Sequence, residues 1–292
     1  MSEHVCLIDG TAYLFRGYYS VRPVHASDGT PVNAILGLGN ALARLLRDRD
    51  PSHVAVAFDA GRTNFRHRID PTYKANRGDP PEDLVPQFSL AQQLTEAMGL
   101  ATVGVPDFEA DDVLATLTTI SREAALDVLL VSGDKDLGQL LEPGVRLFDL
   151  ARATEFGAED LPARMGVRAE QMVDLLALMG DSSDNIPGVR GVGPKAAAAL
   201  LEHFDSLEEI YSALDRVETL PVRGARSLRR KLEDFRVDAE RSRELATVRR
   251  DVPLGLEADD LRWEGADPDA LVGFTARWSL GGLADRVRWR EE

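Results

Sequence analysis

Three apolar segments of this 292-residue chain are each followed within a few residues by carboxylates. Each has the length of a strand, and the segments with the acids that follow them are 4–8 before Asp9, 53–58 before Asp59, and 127–131 before Asp134 and Asp136. Ligands collect at the carboxyl ends of the strands in an open parallel sheet. The pattern therefore predicts a parallel sheet with these acids at one edge.

The order of the remaining segments favours an α/β fold. Strand-like and helix-like segments alternate over the first ~180 residues, which is typical of a mostly parallel sheet flanked by helices. Apolar residues at helical spacing predict a helix over 34–47. Further helices are expected over 86–98 and 106–125, and a short strand over 101–105. Glycine and adjacent prolines predict a polar loop over 77–83.

Two further acidic clusters lie outside the strand ends. Glu109, Asp111 and Asp112 fall within four residues, and Asp181 and Asp184 lie in a polar loop. On the predicted helix, Glu109 and Asp112 share a face at the i, i+3 spacing. A helix dipole favours acids in the first turn, but three exceed what a cap needs.

Nine acids therefore form the candidate metal site. So many like charges cannot stay ionised together without cations. Carboxylates with no nearby His or Cys favour Mg²⁺ or Mn²⁺, which predicts a metal-dependent site acting on phosphates. The nine candidate ligands are Asp9, Asp59, Glu109, Asp111, Asp112, Asp134, Asp136, Asp181 and Asp184.

Composition sets the class of protein. The chain has 44% hydrophobic residues and a net charge of −15, and no apolar run reaches the roughly 20 residues that span a bilayer. The only cysteine, Cys6, lies in an apolar run, and no export signal is evident, so a reducing cytoplasm is expected.

Two stretches, 62–77 and 222–231, each hold five basic residues and at most one acid. They could grip a nucleic-acid backbone or form solvated helix faces.

The glycine-rich segment 188–195 has several interpretations. A phosphate loop needs Gly-Lys-Ser/Thr, but Pro194 intervenes and Ala196 replaces the hydroxyl. A dinucleotide fingerprint should follow a strand, whereas this segment follows a loop. The segment fits two helices joined by a hairpin whose N–H groups and Lys195 contact a DNA phosphate. An ordinary helix–helix turn is the alternative.

With these motifs placed, the chain resembles the structure-specific 5′ nucleases. That family includes the nuclease domain of bacterial DNA polymerase I, bacteriophage 5′ exonucleases and flap endonucleases. The resemblance covers about residues 4–250, and the segments that carry it are 7–10, 57–60, 65–66, 73–77, 109–115, 133–137 and 180–195.

The resemblance implies an organisation. A PIN-like nuclease core with a mostly parallel central sheet is expected over 1–180, with a helical arch at about 62–100 that admits a single-stranded 5′ end. A helix–hairpin–helix region is expected over 181–250. Residues 251–292 are expected to pack on the core as a C-terminal extension.

The resemblance also implies roles for the acids. The first metal would be held by Asp9, Asp59, Glu109 and Asp111, and the second by Asp134, Asp136 and Asp181, with Asp111 near both. Asp112 and Asp184 would be outer carboxylates. Two divalent ions about 4 Å apart activate a water and stabilise the leaving oxygen.

Further residues are expected to act on the substrate. Lys74 and Arg77 would contact the scissile phosphate, and with Asp111 and Asp134 they form the candidate catalytic set. The candidate DNA contacts are Tyr13, Phe65, Arg66, Tyr73, Lys74, Arg77, Gly188, Gly191, Gly193 and Lys195.

The implied function is a stand-alone, monomeric 5′–3′ exonuclease and flap endonuclease of DNA replication and repair. It would use two or more Mg²⁺ ions, with Mn²⁺ as a substitute and K⁺ at the hairpin. Expected substrates are duplexes with 5′ flaps, nicks or ends and RNA–DNA primer junctions, with a DNA polymerase as partner, at the cytoplasmic nucleoid and not at a membrane.

Three alternatives remain open. The first is a DNA-binding protein without turnover, against which the complete acidic set argues. The second is an aspartyl phosphatase, suggested by residues 7–11, but that chemistry typically requires an acidic residue at the position that Leu7 occupies. The third is a ribonuclease of a related acidic fold, which would be shorter and lack the hairpin.

Overall fold

In the computed structural model, which describes residues 3–222 and 224–290, a six-stranded sheet runs through the first half of the chain. The strands are ordered β3-β2-β1-β4-β5-β6, and β1 to β5 are parallel while β6 pairs antiparallel with β5. Their bounds are β1 His4–Asp9, β2 His53–Ala57, β3 Ala101–Val103, β4 Asp127–Val131, β5 Val145–Asp149 and β6 Thr154–Phe156. The mostly parallel α/β fold is confirmed.

The chain reverses its direction of travel across the sheet between β1 and β4. From β1 it moves outward through β2 to β3, and it then returns to β4 on the other side of β1. The carboxyl ends of β1 and β4 therefore border the crevice at the topological switch point, where open α/β sheets bind ligands.

Helices cover both faces of the sheet and form most of the chain after residue 160. In the described residues the α-helices are α1 Gly10–Ser20, α2 Asn33–Arg49, α3 Arg66–Ile69, α4 Val85–Ala97, α5 Ala110–Glu123, α6 Leu161–Met165, α7 Met172–Met179, α8 Pro194–His203, α9 Leu207–Ser212, α10 Leu214–Val217, α11 Ala225–Asp234, α12 Arg236–Ala246 and α13 Pro268–Arg277. The 3₁₀ helices are Lys135–Leu140, Ala158–Asp160, Ala169–Gln171, Ala258–Leu261 and Ala284–Arg286. None of the described helices is long and apolar enough to cross a membrane.

Two segments differ from the sequence-based expectation. The helix expected from residue 106 begins only at Ala110, because Asp107 has a left-handed backbone (φ 75°) and Glu109 is extended. The arch expected at about 62–100 is only partly helical, since turns and irregular chain separate the four-residue α3 from α4. Pro71 and Pro80 lie in that interval, and proline lacks the N–H that a helix interior requires.

The sheet separates two hydrophobic cores. Val5 and Leu7 face a core shared with α5, α7 and the helices from α8 to α12. Cys6 and Ile8 face the other core, shared with α1, α2 and α4. The C-terminal segment also packs into this second core through Trp263, which is 4% exposed. Leu261 of the C-terminal segment belongs to the first core, so this segment contacts the cores on both faces of the sheet.

Candidate active site

Asp9 lies at the switch point and links the two central strands. It ends β1 and caps α1, and its carboxylate accepts hydrogen bonds from Ala12 N–H at 2.9 Å and from the Ser132 hydroxyl at 3.0 Å. The Ser132 hydroxyl in turn accepts from Asp134 N–H at 3.1 Å. Ser132 was not predicted as a site residue, although it directly precedes the acidic motif after β4.

Asp59 joins three elements at the same edge. It follows β2, and its Oδ1 accepts a hydrogen bond from Ala110 N–H at the start of α5 at 2.8 Å. Its own N–H donates to the Thr11 hydroxyl in α1 at 2.9 Å. Asp59 therefore lies between the beginnings of α1 and α5.

Glu109 is buried among donors. Its Oε1 accepts from the Lys74 ammonium at 2.6 Å and from the Asn64 amide at 2.8 Å, and its Oε2 accepts from the Tyr73 hydroxyl at 3.0 Å. Burial raises the pKa of Glu109, but the positive charges of Lys74 and Arg66 outweigh it and hold the pKa below its usual value. Its surroundings therefore favour the ionised carboxylate. Asn64 is a second site residue that sequence reasoning missed.

Asp112 is not placed as a metal ligand, and that prediction is wrong for this structure. The side chain is fully buried, and the Arg66 guanidinium binds both carboxylate oxygens at 2.7 and 2.8 Å. The same oxygens accept from Glu109 N–H at 3.0 Å and Arg249 N–H at 2.8 Å. With four donors on two oxygens, Asp112 caps α5 and anchors Arg66.

The remaining acids beside the switch point repel one another. Burial raises the pKa of Asp111, and the charges of Asp9 and Asp134 raise it further. Burial, opposed by the Ala12 hydrogen bond, raises the pKa of Asp9 to about 7, with Asp59 adding to the rise. Burial together with Asp134 and Asp181 raises the pKa of Asp136 to about 8. Such repulsion requires acids from separate motifs to lie close together, and the Ser132 hydroxyl, which contacts both Asp9 and Asp134 N–H, shows this directly for two of them.

Asp181 and Asp184 reach this cluster on the loop that follows α7. Asp181 accepts from Ser183 N–H at 2.7 Å. Asp184 accepts from the Tyr73 hydroxyl at 3.1 Å, and its backbone carbonyl accepts from Lys74 N–H at 2.9 Å. The 70–77 segment is therefore docked onto this loop, and Arg77 also pairs with Asp184.

The donor set fits a hydrated divalent cation. Among residues 3–222 and 224–290, no three His, Cys, Asp or Glu side chains are arranged to enclose an ion directly. Mg²⁺ keeps several of its waters and needs only one or two protein carboxylates. Within those residues, the buried Oδ1 of Asp136 has no hydrogen-bond partner. An all-oxygen set with excess negative charge and an unpartnered carboxylate oxygen suits such a cation.

Four predicted DNA contacts need correction. Tyr13 is 5% exposed and its hydroxyl accepts from Leu150 N–H at 3.0 Å, so its ring is a core residue and has no free face for stacking. Tyr73 and Arg66 are each 2% exposed and hold carboxylates. Gly188 is buried and its N–H donates to the Ser242 hydroxyl at 3.0 Å. These residues support the site from inside the protein.

The other predicted contacts are accessible. Gly191, Gly193 and Lys195 are exposed, and a side chain at Gly193 would meet no other atom within 4 Å. Phe65 is partly exposed and packs on Phe108 at 5.9 Å between ring centroids. Lys74 lies within the acidic cluster with its side chain 18% exposed. DNA contact by these residues and by Arg77 stays a prediction.

The raised pKa values predict how stability depends on pH without metal. Asp9 and Asp136 bind protons more tightly when folded (pKa about 7 and about 8) than at the ordinary Asp value near 4. Folding therefore takes up protons, and these groups lower the free energy of unfolding as pH rises through that range. Denaturant unfolding in chelator should show lower stability at about pH 8.5 than at about pH 5.5.

The Asp136→Asn variant is the control for this prediction, because its amide does not titrate. It should lose part of the decline above about pH 7, and added Mg²⁺ should restore wild-type stability most at high pH. A flat profile for the metal-free wild type would contradict the crowding of these acids.

The chain belongs to the 5′-3′ exonuclease family. The family model described as "5′-3′ exonuclease, N-terminal resolvase-like domain" matches residues 4–166, and the model described as "5′-3′ exonuclease, C-terminal SAM fold" matches residues 167–269. The resemblance inferred from the motifs is thereby confirmed. The two models meet between residues 166 and 167, whereas the domain boundary predicted from the motifs lies near 180.

Curated relatives are DNA polymerases I. The chain is 37% identical over 294 residues to that of Rhizobium leguminosarum, which covers 98% of this chain and 28% of the relative. It is 40% identical over 269 residues to that of Pseudomonas aeruginosa, which covers 92% of this chain and 30% of the relative. The chain therefore spans about a third of the length of these relatives.

Solved structures share the fold. The bacteriophage T5 5′-exonuclease with bound zinc has a TM-score of 0.69 at 24% identity, covering 84% of this chain and 89% of that chain. The T5 flap endonuclease in a pseudo-enzyme–product complex with DNA and metal ions has a TM-score of 0.67 at 24% identity, covering 97% of this chain and 100% of that chain. The catalytic core of Rad2 with DNA has a TM-score of 0.63 at 16% identity, covering 98% of this chain and 90% of that chain.

Proposed function

We propose that the chain hydrolyses DNA phosphodiester bonds at 5′ ends and 5′ flaps with the help of Mg²⁺. The observation that carries the proposal is the meeting of acids from five separate motifs at the switch point of the sheet, next to Lys74. Family membership and the DNA and metal ions in the T5 flap endonuclease complex support it.

The metal would be held by the candidate acids other than Asp112. When bound, divalent cations supply charge neutralisation at the phosphate and a more acidic water. The candidate ligands that remain after the correction of Asp112 are Asp9, Asp59, Glu109, Asp111, Asp134, Asp136, Asp181 and Asp184. The predicted division into a first and a second metal group is part of this proposal.

Lys74 and Arg77 would act on the phosphate itself. Lys74 contacts Glu109 at 2.6 Å and Asp184 at 3.5 Å, so its ammonium lies between two acidic motifs. A cation fixed at this position stabilises the negative charge that grows in the transition state. Arg77 is about half exposed beside Asp184 and can move to a phosphate without leaving a buried charge unpaired.

Duplex binding would use the hairpin before α8. The exposed Gly191, Gly193 and Lys195 lie at the N-terminus of α8, where N–H groups favour phosphate. Lys231 on α11 donates to the Gly191 carbonyl at 2.8 Å and adds charge beside the hairpin. The K⁺ ion proposed at this hairpin would use other carbonyls, because an ammonium already faces this one. Arg223 of the basic stretch lies outside the described residues.

The proposal includes further partners. RNA–DNA primer junctions would be substrates, because hydrolysis by metal ions at the phosphate depends little on whether the sugar is ribose or deoxyribose. Mn²⁺ would be able to replace Mg²⁺. A DNA polymerase would act with the chain, since the curated relatives are polymerases I. The protein would act as a monomer.

A cleavage assay tests this function. End-labelled 5′-flap, nicked, blunt and RNA–DNA primer substrates should be cut with Mg²⁺ and left intact with chelator, whereas covalently closed circles should resist. Asp134→Ala should abolish cleavage. Asp127→Ala, at the opposite end of β4 and with its side chain 58% exposed, is the matched control and should cleave normally. Binding of the flap without any Mg²⁺-dependent cleavage would instead support a DNA-binding protein without turnover.

A further inference from the structure

The last two residues of α12 and the non-helical chain that follows them are held by side chains of α3, α5 and the 3₁₀ helix Lys135–Leu140. This segment, here called the strap, runs from Leu245 to Val252. The carbonyls of Leu245 and Thr247 accept from Arg66 at 2.8 and 3.1 Å, and Arg249 N–H donates to Asp112 at 2.8 Å. The strap therefore closes over the beginning of α5 and over α3.

Gln139 makes the corresponding contacts on the other side of the site. It lies in the 3₁₀ helix that begins directly after Asp134. Its amide NH₂ donates to the carbonyls of Ala246 and Asp136, both at 3.1 Å, and its amide oxygen accepts from Val248 N–H at 3.1 Å. The backbone carbonyl of Gln139 also accepts from Arg250 at 3.0 Å.

These contacts fix both ends of one amide. Its nitrogen faces two carbonyls and its oxygen faces an N–H, so the reversed orientation would place like groups against each other. The Gln139 side chain thereby ties the backbone of Asp136 to the strap. Asp136 N–H donates to the Asp134 carboxylate at 2.8 Å, so both acids lie on a turn that Gln139 holds in place.

We propose that Gln139 is a positioning residue, which holds the turn of Asp134 and Asp136 at the spacing that a divalent cation requires. The inference rests on the proposed metal-dependent function, because Gln139 would act on the metal through Asp134 and Asp136. Residues that orient metal ligands typically contribute about 10- to 100-fold to metal affinity or activity. The unpartnered Oδ1 of Asp136 is the ligand atom most directly affected.

The test compares Gln139→Ala with Gln171→Ala in the whole protein. Gln171 is a matched control, because its amide also bridges backbone groups: it donates to Leu201 and Phe204 carbonyls at 2.8 and 3.1 Å and accepts from Arg168 N–H at 3.2 Å. None of those partners carries a candidate ligand. Mn²⁺ alone is titrated into each protein by calorimetry, with thermal unfolding measured in chelator.

Gln139→Ala should weaken Mn²⁺ binding about tenfold and raise the Mg²⁺ concentration for half-maximal flap cleavage by the same factor. Flap affinity in chelator should stay at the wild-type value. Gln171→Ala should lower the melting temperature and leave Mn²⁺ binding unchanged. An unchanged Mn²⁺ isotherm for Gln139→Ala, or equal weakening in both variants, would overturn the positioning role. Absence of Mn²⁺ binding to the wild type would instead overturn the metal site itself.

Discussion

Lys74→Ala should reduce turnover on a 5′-flap substrate by about 100- to 1000-fold, the usual loss when one fixed donor to transition-state charge is removed. Lys74 lies within the acidic cluster, with its ammonium 2.6 Å from Glu109 and 3.5 Å from Asp184. Its removal also takes away the main positive charge that keeps the pKa of Glu109 low. Single-turnover cleavage at saturating enzyme, with flap affinity measured separately in chelator, gives the two quantities.

Arg68→Ala is the control for this experiment. Arg68 lies in the same basic stretch, but its side chain is 67% exposed and it pairs with Asp107 at 2.6 Å, away from the acids. It should change turnover little, because its guanidinium pairs with Asp107, which is not a candidate metal ligand. Equal losses of turnover in the two variants would show that the effect comes from the change in net charge. Normal turnover in Lys74→Ala would show that Lys74 has no catalytic role.

Arg66→Ala should lower the free energy of unfolding by about 3–5 kcal/mol, because it leaves the buried Asp112 carboxylate without its countercharge. The Arg66 side chain is 2% exposed, and its guanidinium also donates hydrogen bonds to two backbone carbonyls of the strap. Urea unfolding in chelator measures the change. The double variant Arg66→Met with Asp112→Leu removes both charges and should recover much of the loss, since apolar replacements of a buried pair are often neutral.

A double variant as unstable as Arg66→Ala would show that the contacts to the strap, and not the unpaired charge, dominate. Wild-type stability in Arg66→Ala would contradict the burial of this pair. Either result can be obtained without DNA or metal, so it is independent of the proposed function.

The sequence predicts the parts of the site that depend on strand ends. Asp9, Asp59 and Asp134 follow apolar runs, and the parallel sheet brings them to one edge as expected. The separate roles of Glu109, Asp111 and Asp112 were not predictable from the sequence. Three acids within four residues do not indicate which of them binds a buried arginine. That partner, Arg66, lies 46 positions earlier in the chain.

Other differences have the same origin in tertiary packing. Tyr13 belongs to the same helix as the exposed Tyr19, and the burial of its ring depends on the distant strand end near Leu150. Gln139 is an ordinary helix residue in sequence, and its role depends on carbonyl and N–H groups of residues 246 and 248. No pattern of residue types in the sequence indicates which distant backbone groups will come into contact.

The strap also sets the order in which the centre can be completed during synthesis. Arg66, Asp112 and Gln139 emerge from the ribosome long before the backbone groups of residues 245–250 that complete their hydrogen bonds. Until the strap has been translated, the Arg66 guanidinium and the Asp112 carboxylate lack part of their native hydrogen-bond partners. Assembly of the acidic centre therefore waits for a segment whose first contact lies 179 positions after Arg66.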